Sequence, residues 1–210
     1  MAQNWLETLK EEQIIAVIRA FSKSLGKQLA HTMSRGGIRF IEITWNSDQP
    51  EGLIPELREE LPNCLIGTGT ILNGEELESA IAQGAQFVFS PHVNSQLIST
   101  ALAANIPIIP GALSPTEIIT AWQSGATAVK VFPAQALGGV NYIKSLQGPL
   151  GNIPLIPTGG VTLENAKDFI DAGATAVGLS SQLFPKSLIE AENWEEITQR
   201  ASQLKQSLCH

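Results

Sequence analysis

Gly125-Ala126-Thr127-Ala128-Val129-Lys130-Val131-Phe132-Pro133 carries a single charge among eight uncharged neighbours, and its outline recurs along the chain. The related segments are Gly37-Ile38-Arg39-Phe40-Ile41-Glu42, Gly84-Ala85-Gln86-Phe87-Val88-Phe89 and Gly173-Ala174-Thr175-Ala176-Val177-Gly178. Each starts with a glycine suited to the left-handed residue past a helix end and leads into an apolar run. A helix that feeds a strand, repeated at intervals, predicts alternating β and α elements.

Working outward, strands are expected near Ile14–Ile18, Ile38–Ile43, Leu65–Thr68, Phe87–Ser90, Pro107–Ile109, Ala128–Phe132, Leu155–Pro157 and Ala176–Leu179. Their apolar residues are continuous rather than alternating, which suits parallel strands buried on both faces. Helices fall between them. Ser114-Pro115-Thr116-Glu117 reads as a capping box with proline in the first turn, and Asn73 to Glu76 and Asn193 to Glu196 share the spacing. Eight strand–helix units in 210 residues predict an α/β fold: one (β/α)₈ TIM barrel domain spanning residues 1–210, with a short N-terminal helix.

The four glycine-led segments precede the second, fourth, sixth and eighth strands. Alternate strands of such a barrel contribute one layer of inward side chains. Five residues past each glycine stand Glu42, Phe89, Lys130 and Gly178, so this register turns Glu42 and Lys130 toward each other across space left by Gly178. A shift of one residue turns either side chain outward.

A lysine amine in an apolar strand has a high cost of being charged, which favours its neutral, nucleophilic form. That form is what Schiff-base chemistry on a carbonyl substrate requires. The alternative is a lysine snorkelling from a strand end with its head in solvent. Pro157-Thr158-Gly159-Gly160-Val161-Thr162 and Gly178-Leu179-Ser180-Ser181 follow the seventh and eighth strands, where such folds hold phosphate on backbone N–H groups. Tight strand-to-helix turns are the plainer explanation of either loop alone. Gly67-Thr68-Gly69-Thr70 lacks the third glycine and the acidic ribose partner of a dinucleotide loop.

Composition excludes several classes. A net charge of −7 and a pI near 5.0 argue against nucleic-acid or anionic-membrane surfaces. No apolar stretch reaches the roughly 20 residues of a bilayer span. Cys64 and Cys209 are far apart and no signal-peptide pattern opens the chain, which predicts a cytoplasmic protein. His31, His92 and His210 form no ligand spacing with each other or with the cysteines, and no metal or cofactor is expected.

Ile41-Glu42-Ile43-Thr44, Ile66-Gly67-Thr68-Gly69-Thr70, Gly84-Ala85-Gln86-Phe87 through Ser90-Pro91, Ile109-Pro110-Gly111, Lys130-Val131-Phe132-Pro133 and Pro157-Thr158-Gly159-Gly160 run in order over almost the whole chain. In these pieces the sequence resembles the 2-keto-3-deoxy-6-phosphogluconate aldolases, grouped with the 4-hydroxy-2-oxoglutarate aldolases. The resemblance implies a cofactor-free class I aldolase, a lyase, built as a homotrimer of TIM barrels. It would act on a small 2-keto acid in the Entner-Doudoroff pathway of carbohydrate metabolism. It implies that Lys130 forms the Schiff base and Glu42 moves protons. Thr70, Pro91 and Thr158 surround the pyruvyl end, and Gly159, Gly160 and Ser180 the phosphate end.

One position departs from the pattern. Many members of the family carry an arginine four residues after the glutamate, and here that residue is Asn46, which donates hydrogen bonds without charge. Arg19, just past the first strand, is the candidate replacement. His92 is a further rim candidate, and Trp45 either closes the pocket or packs beneath a helix. The expected reaction is cleavage of 2-keto-3-deoxy-6-phosphogluconate to pyruvate and glyceraldehyde 3-phosphate. Cleavage of 4-hydroxy-2-oxoglutarate and decarboxylation of oxaloacetate are open through the same imine. The alternatives are a phosphosugar isomerase or epimerase, which shares the phosphate loops and a carboxylate base but needs no imine, and a non-catalytic ligand-binding barrel.

Overall fold

A computed structural model describes residues 2–208; Cys209 and His210, considered above as possible ligands, lie outside the described residues. The strands are β1 (Ile14–Ile18), β2 (Phe40–Thr44), β3 (Leu65–Gly69), β4 (Val88–Phe89), β5 (Ile108–Ile109), β6 (Gly111–Ala112), β7 (Val129–Val131), β8 (Leu155–Pro157) and β9 (Val177–Leu179). The helices are α1 (Ala2–Glu12), α2 (Lys23–Arg35), α3 (Pro50–Glu60), α4 (Gly74–Ala82), α5 (Ser95–Ala103), α6 (Pro115–Gln123), α7 (Val140–Leu150), α8 (Ala166–Asp171), α9 (Lys186–Glu190) and α10 (Trp194–Leu208). All eight expected strands appear: β1 and β8 have the expected bounds, β3 is one residue longer, β2 is shifted toward its C-terminal end, β4, β5, β7 and β9 are trimmed by one or two residues, and β6 is additional. None of the described helices is long and apolar enough to cross a membrane.

Local signals explain where the elements begin and end. Ser114 and Glu117 form a full capping box at α6, and the Asn73 and Asn193 side chains accept from the N–H groups of Glu76 at 3.0 Å and Glu196 at 3.1 Å. Gly37, Gly84, Gly125 and Gly173 all have positive φ, between 81° and 100°, so the glycine-led repeat is a recurring left-handed exit from a helix.

Every strand pairing is parallel, but the ladder does not close. A six-stranded half-barrel, in the order β5-β4-β3-β2-β1-β9, stands beside a three-stranded sheet, β6-β7-β8. This corrects the expectation of a closed eight-stranded TIM barrel. Pro110 separates β5 from β6 and has no N–H to continue the ladder. On the other side, β8 and β9 are joined by one isolated bridge, Thr158 to Gly178.

Alternation along the strands divides the apolar residues into two layers. Ile15, Val17, Phe40, Phe87, Phe89, Ile109, Ala128, Ile156 and Ala176 form an inner cluster with Trp5 and Leu9 of α1. Their sequence neighbours, such as Ile14, Ile41, Val129 and Val177, pack outward with the helices. Burial on both faces is why the strands read as unbroken apolar runs. Trp5 meets Phe40 edge to face at 5.5 Å and Phe87 at 5.7 Å, filling the inner layer beyond the N-terminal ends of the strands. Glu12 pins α1 in place through Lys205 at 2.6 Å and Arg39 at 3.2 Å.

Gly67 makes room for this aromatic group. A Cβ there would lie 2.5 Å from Phe87 Cε2 and Cγ, and the ring is wholly buried. Gly67→Ala is therefore expected to destabilise the protein by about 1–3 kcal/mol. The check is urea unfolding; an unchanged midpoint would mean that Phe87 yields freely.

Candidate active site

Two residues beyond Phe40 and Ala128, the inner layer changes from apolar to reactive. Glu42 of β2 and Lys130 of β7 keep the inward direction of those residues and are 1% and 7% exposed. Both line one cavity of about 510 Å³ at the C-terminal ends of the strands. Lys130 Nζ lies 5.7 Å from the centre of the Phe89 ring and 5.0 Å from that of Phe132. The Glu42 carboxylate occupies the space above Gly69, where a Cβ would collide with it. Its Oε1 is buried and has no hydrogen-bond partner among the described residues. Burial pushes the Glu42 carboxyl above its usual range, while the charges of Lys130 and Arg19 pull the other way.

Arg19, Thr70, Pro91, Thr158, Gly159, Gly160 and Ser180 line the same cavity. Thr70 holds φ at 62°, a left-handed conformation that costs a β-branched residue on the order of 1–3 kcal/mol. Asn46 is exposed and is not a lining residue. His92 is half-buried outside the lining, with its carbonyl accepting from Ser90 Oγ at 2.8 Å. Trp45 packs against the outer apolar layer rather than over the cavity. Gly178 also lines the cavity, and Thr158 Oγ1 lies 2.5 Å from where its Cβ would stand, so the threonine hydroxyl uses the room its missing side chain leaves.

Val17, Thr44, Phe132, Val161, Ser181 and Gln182 also line the cavity; Thr44, Phe132, Val161 and Ser181 stand within the motifs quoted above but were given no role of their own, and Val17 and Gln182 lie outside the quoted motifs. Thr44 and Phe132 follow Glu42 and Lys130 by two residues, so strand alternation was the signal that identifies them. Ser181 and Gln182 sit in a turn; Ser181 ends the glycine-led loop read as an anion site, and Gln182 had no signal. A separate cavity of about 340 Å³ lies at the other end of the strands beside Trp5 and contains none of the site residues expected from the sequence.

The glycine loops form one wall. Among the described residues, the N–H groups of Gly159, Gly160, Val161, Ser181 and Gln182 donate to no protein acceptor. The loops are held from behind. Ala134 and Gln135 N–H groups donate to Thr158 O at 2.9 Å and Gly159 O at 3.0 Å. Arg200 Nη2 donates to Gln182 O at 2.8 Å. Free N–H groups at one wall, with Arg19 lining the same space, suit an anion.

Because burial makes Glu42 a weaker acid in the folded protein, stability depends on pH. The folded protein holds this proton more tightly than the unfolded chain, whose ordinary value is 4.5. Stability therefore falls as pH rises from that value through the raised native one. Glu42→Gln removes the loss, so the variant is expected to be more stable than wild type at neutral pH, with the difference fading below about pH 4. Urea midpoints across pH 4–8 check this; a pH-independent difference would contradict it.

Comparisons with known proteins agree with this geometry. The family model for KDPG and KHG aldolase matches residues 6–200. The 2-dehydro-3-deoxy-phosphogluconate aldolase of Haemophilus influenzae is 36% identical over 195 residues, covering 93% of this chain and 92% of that protein. The enzyme of the same name from Treponema pallidum is 33% identical, with 95% of each chain covered. The crystal structure of KDPG aldolase from Legionella pneumophila, with pyruvate captured at low pH as a covalent carbinolamine intermediate, superposes with a TM-score of 0.87. It is 28% identical and covers 95% of this chain and 97% of that one. The chain belongs to the KDPG and KHG aldolase family of lyases.

Proposed function

We propose that this protein is a class I aldolase that cleaves 2-keto-3-deoxy-6-phosphogluconate to pyruvate and glyceraldehyde 3-phosphate. The observation that carries the reading is the pairing of Lys130 and Glu42, both almost fully buried, in one cavity beside a wall of free backbone N–H groups. The names of the curated relatives agree with it. In its neutral form Lys130 adds to the C2 ketone, and loss of water gives an iminium. Glu42 takes the C4 hydroxyl proton, directly or through a water, as the C3–C4 bond breaks and its electrons flow into the iminium. The enamine accepts a proton at C3, and water then releases pyruvate and the free lysine. A carboxyl raised by burial is a stronger base than an exposed one, which suits a group that must take and return a proton.

Arg19 and the glycine loops hold the phosphate end, and Thr70, Pro91 and Thr158 surround the pyruvyl end. The same imine serves 4-hydroxy-2-oxoglutarate and the decarboxylation of oxaloacetate as lesser activities. The resemblance further supports a single-domain, cytoplasmic homotrimer working in the Entner-Doudoroff pathway. An isomerase or epimerase would need the carboxylate and the anion wall but not Lys130.

The kinetic test follows from those roles. Lys130→Arg keeps a cation but forms no imine, so turnover of 2-keto-3-deoxy-6-phosphogluconate is expected to vanish while the protein stays folded. Glu42→Gln is expected to slow cleavage roughly 10²- to 10⁴-fold. Normal cleavage by Lys130→Arg would exclude the imine route.

A further inference from the structure

Asn46 brings no charge to the cavity, yet the segment around it is tied to the one that does. Ala20, directly after Arg19, is fixed on both sides of its peptide. Its N–H donates to Ser47 Oγ at 3.2 Å, and its carbonyl accepts from Asp48 N–H at 3.0 Å. Three residues on, the Lys23 N–H donates to Asp48 Oδ2 at 3.0 Å. Ser47 Oγ also lies 3.1 Å from Thr44 Oγ1 and 3.5 Å from Ile18 O. Ala20, Thr44 and Ser47 are all buried. The loop after β2 thus grips the loop after β1 on either side of Arg19, at Ile18 and at Ala20.

Arg19 itself is exposed and has no ion pair among the described residues. Its backbone is therefore what sets where the guanidinium hangs over the cavity. A free long side chain samples many rotamers, so a fixed stem is the main contribution the protein can make to its aim.

We infer that Ser47 is a positioning residue for Arg19, its buried hydroxyl holding the Arg19–Ala20 backbone so that the guanidinium meets the phosphate end of the substrate. The inference rests on the reading of Arg19 given above. Ser47 has no place in the proton-transfer or imine chemistry, and its loss should be felt in substrate binding alone.

The experiment is steady-state kinetics on 2-keto-3-deoxy-6-phosphogluconate with Ser47→Ala, Ser47→Thr, Arg19→Ala and the Ser47→Ala/Arg19→Ala double variant, alongside borohydride capture of pyruvate. Ser47→Ala is expected to raise KM about tenfold, with kcat changed less than about twofold and pyruvate capture unchanged. Ser47→Thr, which keeps the hydroxyl, should restore KM. In the Arg19→Ala background Ser47→Ala should add nothing, because the two act through one contact. An unchanged KM, a loss of pyruvate capture, or an equal effect in both backgrounds would overturn the positioning role. An Arg19→Ala variant with normal KM would instead remove the reading on which it rests.

Discussion

The burial of the Glu42 carboxylate is the constraint on which the site depends. It is 1% exposed, and its Oε1 has no hydrogen-bond partner among the described residues, an arrangement that is costly for an ionised carboxyl. Gly69 gives it the space, and the charges of Lys130 and Arg19 offset part of the desolvation. The outcome is a carboxyl raised by its surroundings, close to a lysine that is itself 7% exposed and ringed by Phe89 and Phe132. A carboxyl raised in this way inside a cavity is characteristic of catalytic sites.

The rest of the fold serves that placement through strand alternation. Phe40, Ala128, Ile156 and Ala176 belong to the inner apolar cluster; one step of two residues along each strand gives Glu42, Lys130, Thr158 and Gly178. The same layer is therefore core at one end and active surface at the other. Trp5 fills the apolar end, and Gly67 and Gly69 admit Phe87 and Glu42 in turn. The glycines of this segment, which resembles a truncated dinucleotide loop, serve packing.

What the sequence revealed, it revealed through periodicity and local chemistry. Continuous apolar runs located the eight strands because both faces are buried, and the glycine-led repeat located helix exits because φ there is positive. The inward facing of Glu42 and Lys130 followed from that register. Closure of the ladder was not legible in this way. It depends on whether each short strand finds a partner N–H, and Pro110 and the single Thr158–Gly178 bridge decide it. The fate of Gly178 was also hidden, since an absent side chain does not say which neighbour fills its place; here it is Thr158. Asn46 aligned with a binding position, but its side chain is exposed and outside the lining. Contacts between loops, such as Ser47 with Ala20, leave no period in the sequence to read.

Borohydride reduction in the presence of pyruvate, followed by peptide mapping, tests the central claim most directly. The account predicts one reduced pyruvyl adduct per chain, on the peptide that contains Lys130, and none in Lys130→Arg. An adduct on Lys144 or another lysine, or no adduct from an enzyme that turns over its substrate, would contradict it.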